Sequence, residues 1–344
     1  MCGLFGFTGP PSFRAASLLQ ALAIADEVRG RHSTGLALAA REEGSRRLSP
    51  RLVKKALSGK EFVRAGWSQI LFQAKYPLAI GHNRYATAGE VNDRNAHPFL
   101  IQRPHGAALA AHNGLVGGKE AIAERYGVKN HPVDSEVYFR AIGRRAGRTE
   151  EDLLQAILEV TAFIAPRADF ACLWLEPAWR SLYFWRSPDR PLAVFDARKL
   201  GLGRFFASTV EILSDAWGSV RGCLPSIKKV ETFEARPYSI YRVKDDGIWE
   251  VERIQDLKTP DRQAPRASVA CQKTISWKDP DPDSSPEEDE GDRARVFLCF
   301  GCGSQVPGEE AVFADPETGL RSSSGQAHHE DCLPHPTPSC GGEA

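Results

Sequence analysis

Between residues 12 and 253 the spacing of apolar positions switches repeatedly from a helical to a strand period, with Gly, Pro and Asp punctuating the changes. Over residues 12–29, Leu18, Leu19, Leu22 and Val28 fall on one helical stripe behind Ser12, whose hydroxyl suits an N-cap. Similar spacing predicts helices at 58–70, 117–126, 134–145 and 150–161. Strand-like runs occupy 34–40, 78–83, 106–112, 168–176, 181–186, 191–195, 204–209, 226–233, 237–243 and 248–253. Strands interleaved with helical pairs, and hairpins in the second half, point to a layered α+β domain.

Composition narrows the class. The 344 residues are 42% apolar and 26% charged, which excludes wholesale disorder and allows a large core. Apolar stretches such as 106–111 and 77–80 fall far short of the ~20 residues needed to span a bilayer, so no membrane segment is expected. The N-terminal run lacks a basic leader and a long apolar centre, so no secretory signal is read and a cytoplasmic location is expected. The net charge of zero is unevenly distributed: residues 279–292 hold eight acids and no base, whereas residues 1–278 hold 41 lysines and arginines against 29 acids, a net of +12. The Pro-, Asp-, Glu- and Ser-rich segment reads as an acidic linker. Three parts follow: a domain at 2–255, a linker at 256–295 and a small module at 296–344.

Chemistry concentrates at the start of the chain. Cys2 follows the initiator Met, and removal of Met1 would leave a thiol and a free α-amine on one residue. A terminal amine has a pKa of ~7.7–8.0, so near neutral pH it can accept the thiol proton. Downstream, polar motifs recur at predicted strand ends and turns. They are Cys2-Gly3-Leu4-Phe5-Gly6, the run from Arg29 to Gly35, Gly81 to Gly89, Asn95-Ala96-His97-Pro98-Phe99, His112-Asn113-Gly114 and Asp134-Ser135-Glu136. Taken singly, Asn113-Gly114 reads first as a hairpin turn, His97 as a turn residue and Arg84 as a surface or ion-pair arginine.

Taken together and in order, these motifs resemble the class II glutamine amidotransferase domain of the N-terminal-nucleophile hydrolases. Glucosamine-6-phosphate synthase and glutamine phosphoribosylpyrophosphate amidotransferase carry that domain. The resemblance covers roughly residues 2–250 and implies a four-layer αββα sandwich that hydrolyses the side-chain amide of glutamine without a cofactor. It assigns Cys2 as nucleophile, with the Asn113 side chain and the Gly114 N–H as oxyanion donors. Arg84 would take the substrate α-carboxylate and Asp134 its α-ammonium. Thr87 and His97 match positions that line or support the pocket, and Arg29 one that braces the nucleophile. His32, His82 and His112 keep a structural reading, and Cys172 an inert one. Asn83, Tyr85 and Ala88 depart from residues common in relatives at those positions, which bears on pocket shape rather than on the nucleophile.

The synthase that usually accompanies such a domain has no counterpart in the remaining 90 or so residues. The expected function is therefore an amidotransferase subunit whose ammonia acceptor lies on a separate protein. The alternatives are a γ-glutamyl amide hydrolase without transfer and a non-catalytic adaptor with the same fold. In the C-terminal segment, Cys299, Cys302, His329 and Cys332 have the spacing of a four-ligand structural zinc site. The basic body could suit a phosphorylated acceptor or an acidic partner. Nucleic acid is the less favoured partner, because no aromatic interleaving or nucleic-acid motif accompanies the arginines.

Overall fold

The structure, a computed structural model, describes residues 2–42, 47–104, 106–220, 224–244 and 247–254, and four short strands nearer the C-terminus. The strands of the body are β1 (Gly3–Thr8), β2 (Ser33–Arg41), β3 (Leu48–Lys55), β4 (Leu78–Arg84), β5 (Phe99–Arg103), β6 (Gly106–Val116) and β7 (Ala168–Glu176). They continue with β8 (Ser181–Arg186), β9 (Ala193–Asp196), β10 (Arg204–Ala207), β11 (Glu231–Glu234), β12 (Ser239–Lys244) and β13 (Gly247–Arg253). The helices are α1 (Phe13–Ala25), α2 (Gly59–Arg64), α3 (Ile70–Gln73), α4 (Lys119–Tyr126), α5 (Asp134–Arg145), α6 (Glu150–Ile164) and α7 (Val210–Ser219). Beyond them, β14 (Val296–Leu298) pairs with β15 (Gln305–Pro307), and β16 (Val312–Ala314) with β17 (Gln326–His328).

Thirteen strands form two antiparallel sheets, ordered β11-β9-β10-β1-β4-β2-β3 and β13-β12-β8-β7-β6-β5. In the central strands, side-chain alternation gives two buried faces. In the first sheet Phe5, Phe7, Leu36, Leu38 and Ala79 pack under α1 and α7, while Leu4, Ala37, Ala39, Leu78 and Ile80 face the other way. In the second, Ala110, Cys172, Trp174 and Trp185 pack under α5 and α6, while Leu109, Ala111, Leu173 and Phe184 face the first sheet. The layers therefore run helix, sheet, sheet, helix, with one apolar core between the sheets and one beneath each helical layer. This mixed fold matches the expected sandwich.

Local chemistry explains most boundaries. Ser12 caps α1 by accepting from the Ala15 N–H at 3.2 Å, and Thr149 and Asp152 form a reciprocal capping box on α6. The expected helix at 58–70 breaks, because Gly66 adopts a φ of 80° and ends α2 in the left-handed region. The expected strand at 226–233 is also corrected: a 3-10 turn (Ile227–Lys229) precedes β11. Elements at β3, β5 and α7 go beyond the sequence expectation. The linker expected at 256–295 lies outside the described residues. Among the described residues, no helix is long and apolar enough to cross a membrane.

Candidate functional site

Strand parity gathers the polar motifs at one end of the space between the sheets. Cys2 precedes β1 with the parity of Leu4, which faces the second sheet. His82 and Arg84 share the parity of Leu78 and Ile80 on β4, and Asn113 that of Leu109 and Ala111 on β6. The His82 Nε2–H donates to the His112 carbonyl at 3.0 Å, which ties the ends of β4 and β6 together across the gap. Asn113 and Gly114 thus lie within a strand, not in the hairpin turn that the dipeptide alone suggests.

Asn113 is the unusual member. Its side-chain amide is fully buried, and neither its oxygen nor its nitrogen has a hydrogen-bond partner among the described residues. A buried amide left unpaired costs about 1–3 kcal/mol, so an occupant that accepts from it recovers energy. Gly114 follows with a φ of 150°, and a Cβ there would stand 1.8 Å from the Asp169 carbonyl oxygen, so no other residue fits. The Cys2 thiol meets the backbone of Tyr85, which donates its N–H to Sγ at 3.3 Å and accepts from the thiol at 3.4 Å. Burial pushes the Cys2 thiol above its ordinary pKa, against the opposing pull of the Tyr85 hydrogen bond and the Arg84 charge. The sulfur is therefore protonated at neutral pH and needs a base.

Two charged groups flank it, and both act on the Cys2 thiol electrostatically. Asp134 opens α5 and is held from two sides: Oδ2 accepts from the Val116 N–H at 2.7 Å and Oδ1 from the Ser135 N–H at 2.8 Å. The Arg84 guanidinium folds onto the 85–98 loop, donating from Nη1 to the Glu90 carbonyl at 3.1 Å and from Nη2 to the Ala88 carbonyl. Thr87 lies exposed on that loop. Lys54 of β3 pins the far end of the loop, donating to the carbonyls of Arg94 at 2.8 Å and Ala96 at 2.7 Å. Burial lowers the Lys54 ammonium to a pKa of about 8, with Glu136 pulling the other way.

Beneath the site three buried imidazoles interlock. His82 and His97 stack at 4.1 Å, and the His112 N–H donates to His97 Nδ1 at 3.3 Å. His112 Nδ1 meets the Ser135 hydroxyl at 2.7 Å, which fastens β6 to α5. Burial depresses all three, His82 to about 3, so they serve as neutral struts. His32 accepts the Ala86 N–H at 2.8 Å and stacks on Tyr85, steadying the loop's other end.

On the helix side of β1, the Arg29 Nε–H donates to the Cys2 carbonyl at 2.8 Å. Asp26 was not singled out by sequence. Its carboxyl group occupies the space a Gly3 side chain would need, with Oδ2 1.9 Å from that Cβ position. It is fully buried, neither oxygen has a partner among the described residues, and burial holds its pKa well above the carboxylate range despite the Arg29 charge. Cys172 is buried with a raised pKa, in keeping with an inert thiol. Cys299, Cys302, His329 and Cys332 lie outside the described residues, and among those described no cluster of three potential ligands is placed to hold a metal.

Comparison with known proteins finds relatives by sequence and by fold. The chain is 28% identical over 262 residues to glutamine–fructose-6-phosphate aminotransferase (isomerizing) of Aquifex aeolicus, a match covering 70% of this chain and 39% of that protein. It is 29% identical over 168 residues to the amidophosphoribosyltransferase of Pseudomonas aeruginosa, covering 46% of this chain and 31% of the relative. In fold it matches glutamine phosphoribosylpyrophosphate amidotransferase from B. subtilis, with a TM-score of 0.55 at 20% identity over 74% of this chain and 50% of that one. No protein-family model matches the chain. The chain spans well under half the length of these curated relatives. By sequence the chain is thus a relative of the glutamine amidotransferases, and its two-sheet fold matches that of a solved one.

Proposed function

We propose that the chain hydrolyses the side-chain amide of glutamine through a thioester on Cys2 and passes the ammonia to an acceptor on another protein. The observation that carries this reading is the buried, unpartnered Asn113 amide facing the inter-sheet space that Cys2 also faces. Loss of Met1 frees the α-amine, which takes the thiol proton that burial otherwise retains. The sulfur attacks the amide carbon, and the oxyanion forms against Asn113 Nδ2 and the Gly114 N–H. The protonated amine returns its proton to the leaving nitrogen, the C–N bond breaks and ammonia departs. Water then adds to the thioester with the amine as base, releasing glutamate and restoring the thiol.

The substrate's charged ends are matched by Arg84 and Asp134. A guanidinium has five donors, so Arg84 can grip a carboxylate while keeping loop carbonyls as partners. Asp134 spends two acceptor sites on backbone N–H groups and retains capacity for an ammonium. Thr87 and His97 line and support the pocket, and Arg29 holds the Cys2 carbonyl. Domain bounds of 2–255, 256–295 and 296–344 complete this reading, with structural zinc on Cys299, Cys302, His329 and Cys332.

The test is mass spectrometry after exposure to the glutamine-analogue electrophile 6-diazo-5-oxo-norleucine, with Cys2→Ala as control. One adduct is expected, on Cys2 of a chain lacking Met1, and excess glutamine should block it. Labelling that glutamine cannot block would favour a different γ-glutamyl amide as substrate. No adduct would leave a binding protein. In enzyme that has not been labelled, Asn113→Ala should lower kcat by about 10²–10³-fold, the usual effect of losing one oxyanion donor.

A further inference from the structure

We infer that a cationic cavity at the opposite end of the sandwich from Cys2 binds a small phosphate ester. β1 runs from Gly3 beside the nucleophile to Thr8, so at about 3.3 Å per residue the cavity lies roughly 20 Å from the thiol. The cavity has a volume of about 440 Å³. Its wall contains Arg41, Lys75, Arg180, Arg198 and Arg204, and no carboxylate. Behind the wall Asp196 pairs with Arg198 at 2.9 Å and with Arg204 at 3.2 Å, holding those two guanidinium groups in place.

Two further features point to a ligand rather than to a solvated basic rim. Thr8 and Tyr76 stand in the same wall, and each has a buried hydroxyl with no hydrogen-bond partner among the described residues. Two idle O–H groups behind a set of cations would each gain a partner by turning onto an acceptor oxygen of a phosphoryl group. In addition, Arg180 turns the corner from β7 to β8 with a φ of 51°, where glycine or asparagine would be less strained. Strain held at an arginine in a cavity wall fits a binding role for its side chain. Pro10, Pro11 and Pro77 provide apolar lining for the rest of the molecule. No exposed aromatic ring stands in the wall to stack bases, and the concave shape suits a small ligand over a nucleic-acid strand.

Calorimetric titration of the full chain would use AMP and glucose 6-phosphate, with adenosine, glucose, sulfate and a 20-residue oligoadenylate as comparators. At least one ester is expected to bind one-to-one, at least about tenfold more tightly than sulfate or its dephosphorylated counterpart. Which ester binds tells a nucleotide from a sugar phosphate. The pair Lys75→Ala/Arg180→Gly should weaken binding by at least about tenfold, and so should the near-isosteric Tyr76→Phe, with labelling of Cys2 and the melting temperature retained. The inference is overturned if neither ester saturates, if sulfate binds equally well, if the oligonucleotide binds far more tightly at the same residues, or if folded variants bind as the parent does.

Discussion

Asp26 places a carboxyl group where it has no hydrogen-bond partner among the described residues, and its protonation must therefore respond to folding. Burial raises its pKa in the native state, whereas in the unfolded chain it titrates near ~3.9. Its protonated form is thus favoured by folding. The associated stability is complete below the ordinary carboxylate range and is lost as pH rises towards the raised native value. Asp26→Asn keeps the shape and removes the titration. Urea denaturation at pH 5 and pH 8 should show the variant gaining on the parent as pH rises, by about 1–3 kcal/mol at the upper value, the scale of an unsatisfied buried polar group. A stability difference independent of pH would mean that Asp26 does not titrate in this interval. The sequence hid this residue because Asp26-Glu27 reads as an ordinary polar helix end. Cys2, Arg84, Asn113 and Asp134 were legible, since each sits in an ordered motif whose chemistry needs its neighbours.

At the scale of elements, strands buried on both faces read as nearly continuous apolar runs, which is why β7 and β8 emerge at their observed bounds. Edge strands do not read so. β3 and β5 each form one edge of a sheet; β3 carries Pro50, Arg51, Lys54 and Lys55, and β5 has only five residues. Periodicity predicted the elements but not their partners, and the layering came from the resemblance. The overlooked β3 matters for function, because its Lys54 fastens the loop whose carbonyls hold Arg84. Lys54→Met removes two hydrogen bonds to backbone carbonyls and should loosen that loop without touching the sulfur. The expected kinetic result is a KM for glutamine about tenfold higher, within the 1–3 kcal/mol scale of such losses, with a much smaller change in kcat. With a pKa of about 8, Lys54 is charged below that pH and loses its charge above it. The parent's KM should accordingly rise above pH 8, while that of the variant stays flat. A fall in kcat alone would instead place Lys54 nearer the reacting atoms.

Over the whole molecule, the proposed zinc site implies different sources of stability for the sandwich and for the C-terminal segment. The sandwich buries three apolar clusters, whereas a segment of about 50 residues is in general too short for a robust core unless something clamps it. Four short strands pair there, β14 with β15 on either side of Cys299 and Cys302, while β17 ends immediately before His329. A Cys₃His set in that position would clamp the paired strands, and with four protein ligands it would leave no open coordination site for chemistry. The zinc binding energy would then be folding energy for this module alone. Purified protein is expected to contain one zinc per chain by elemental analysis, and Cys302→Ser should release it. Chelation should open residues 296–344 to protease while leaving both the melting of the sandwich and the labelling of Cys2 unchanged. If labelling fell together with the metal, the two parts would be coupled, and the module would belong to the glutaminase machinery instead of serving as a separate attachment for a partner.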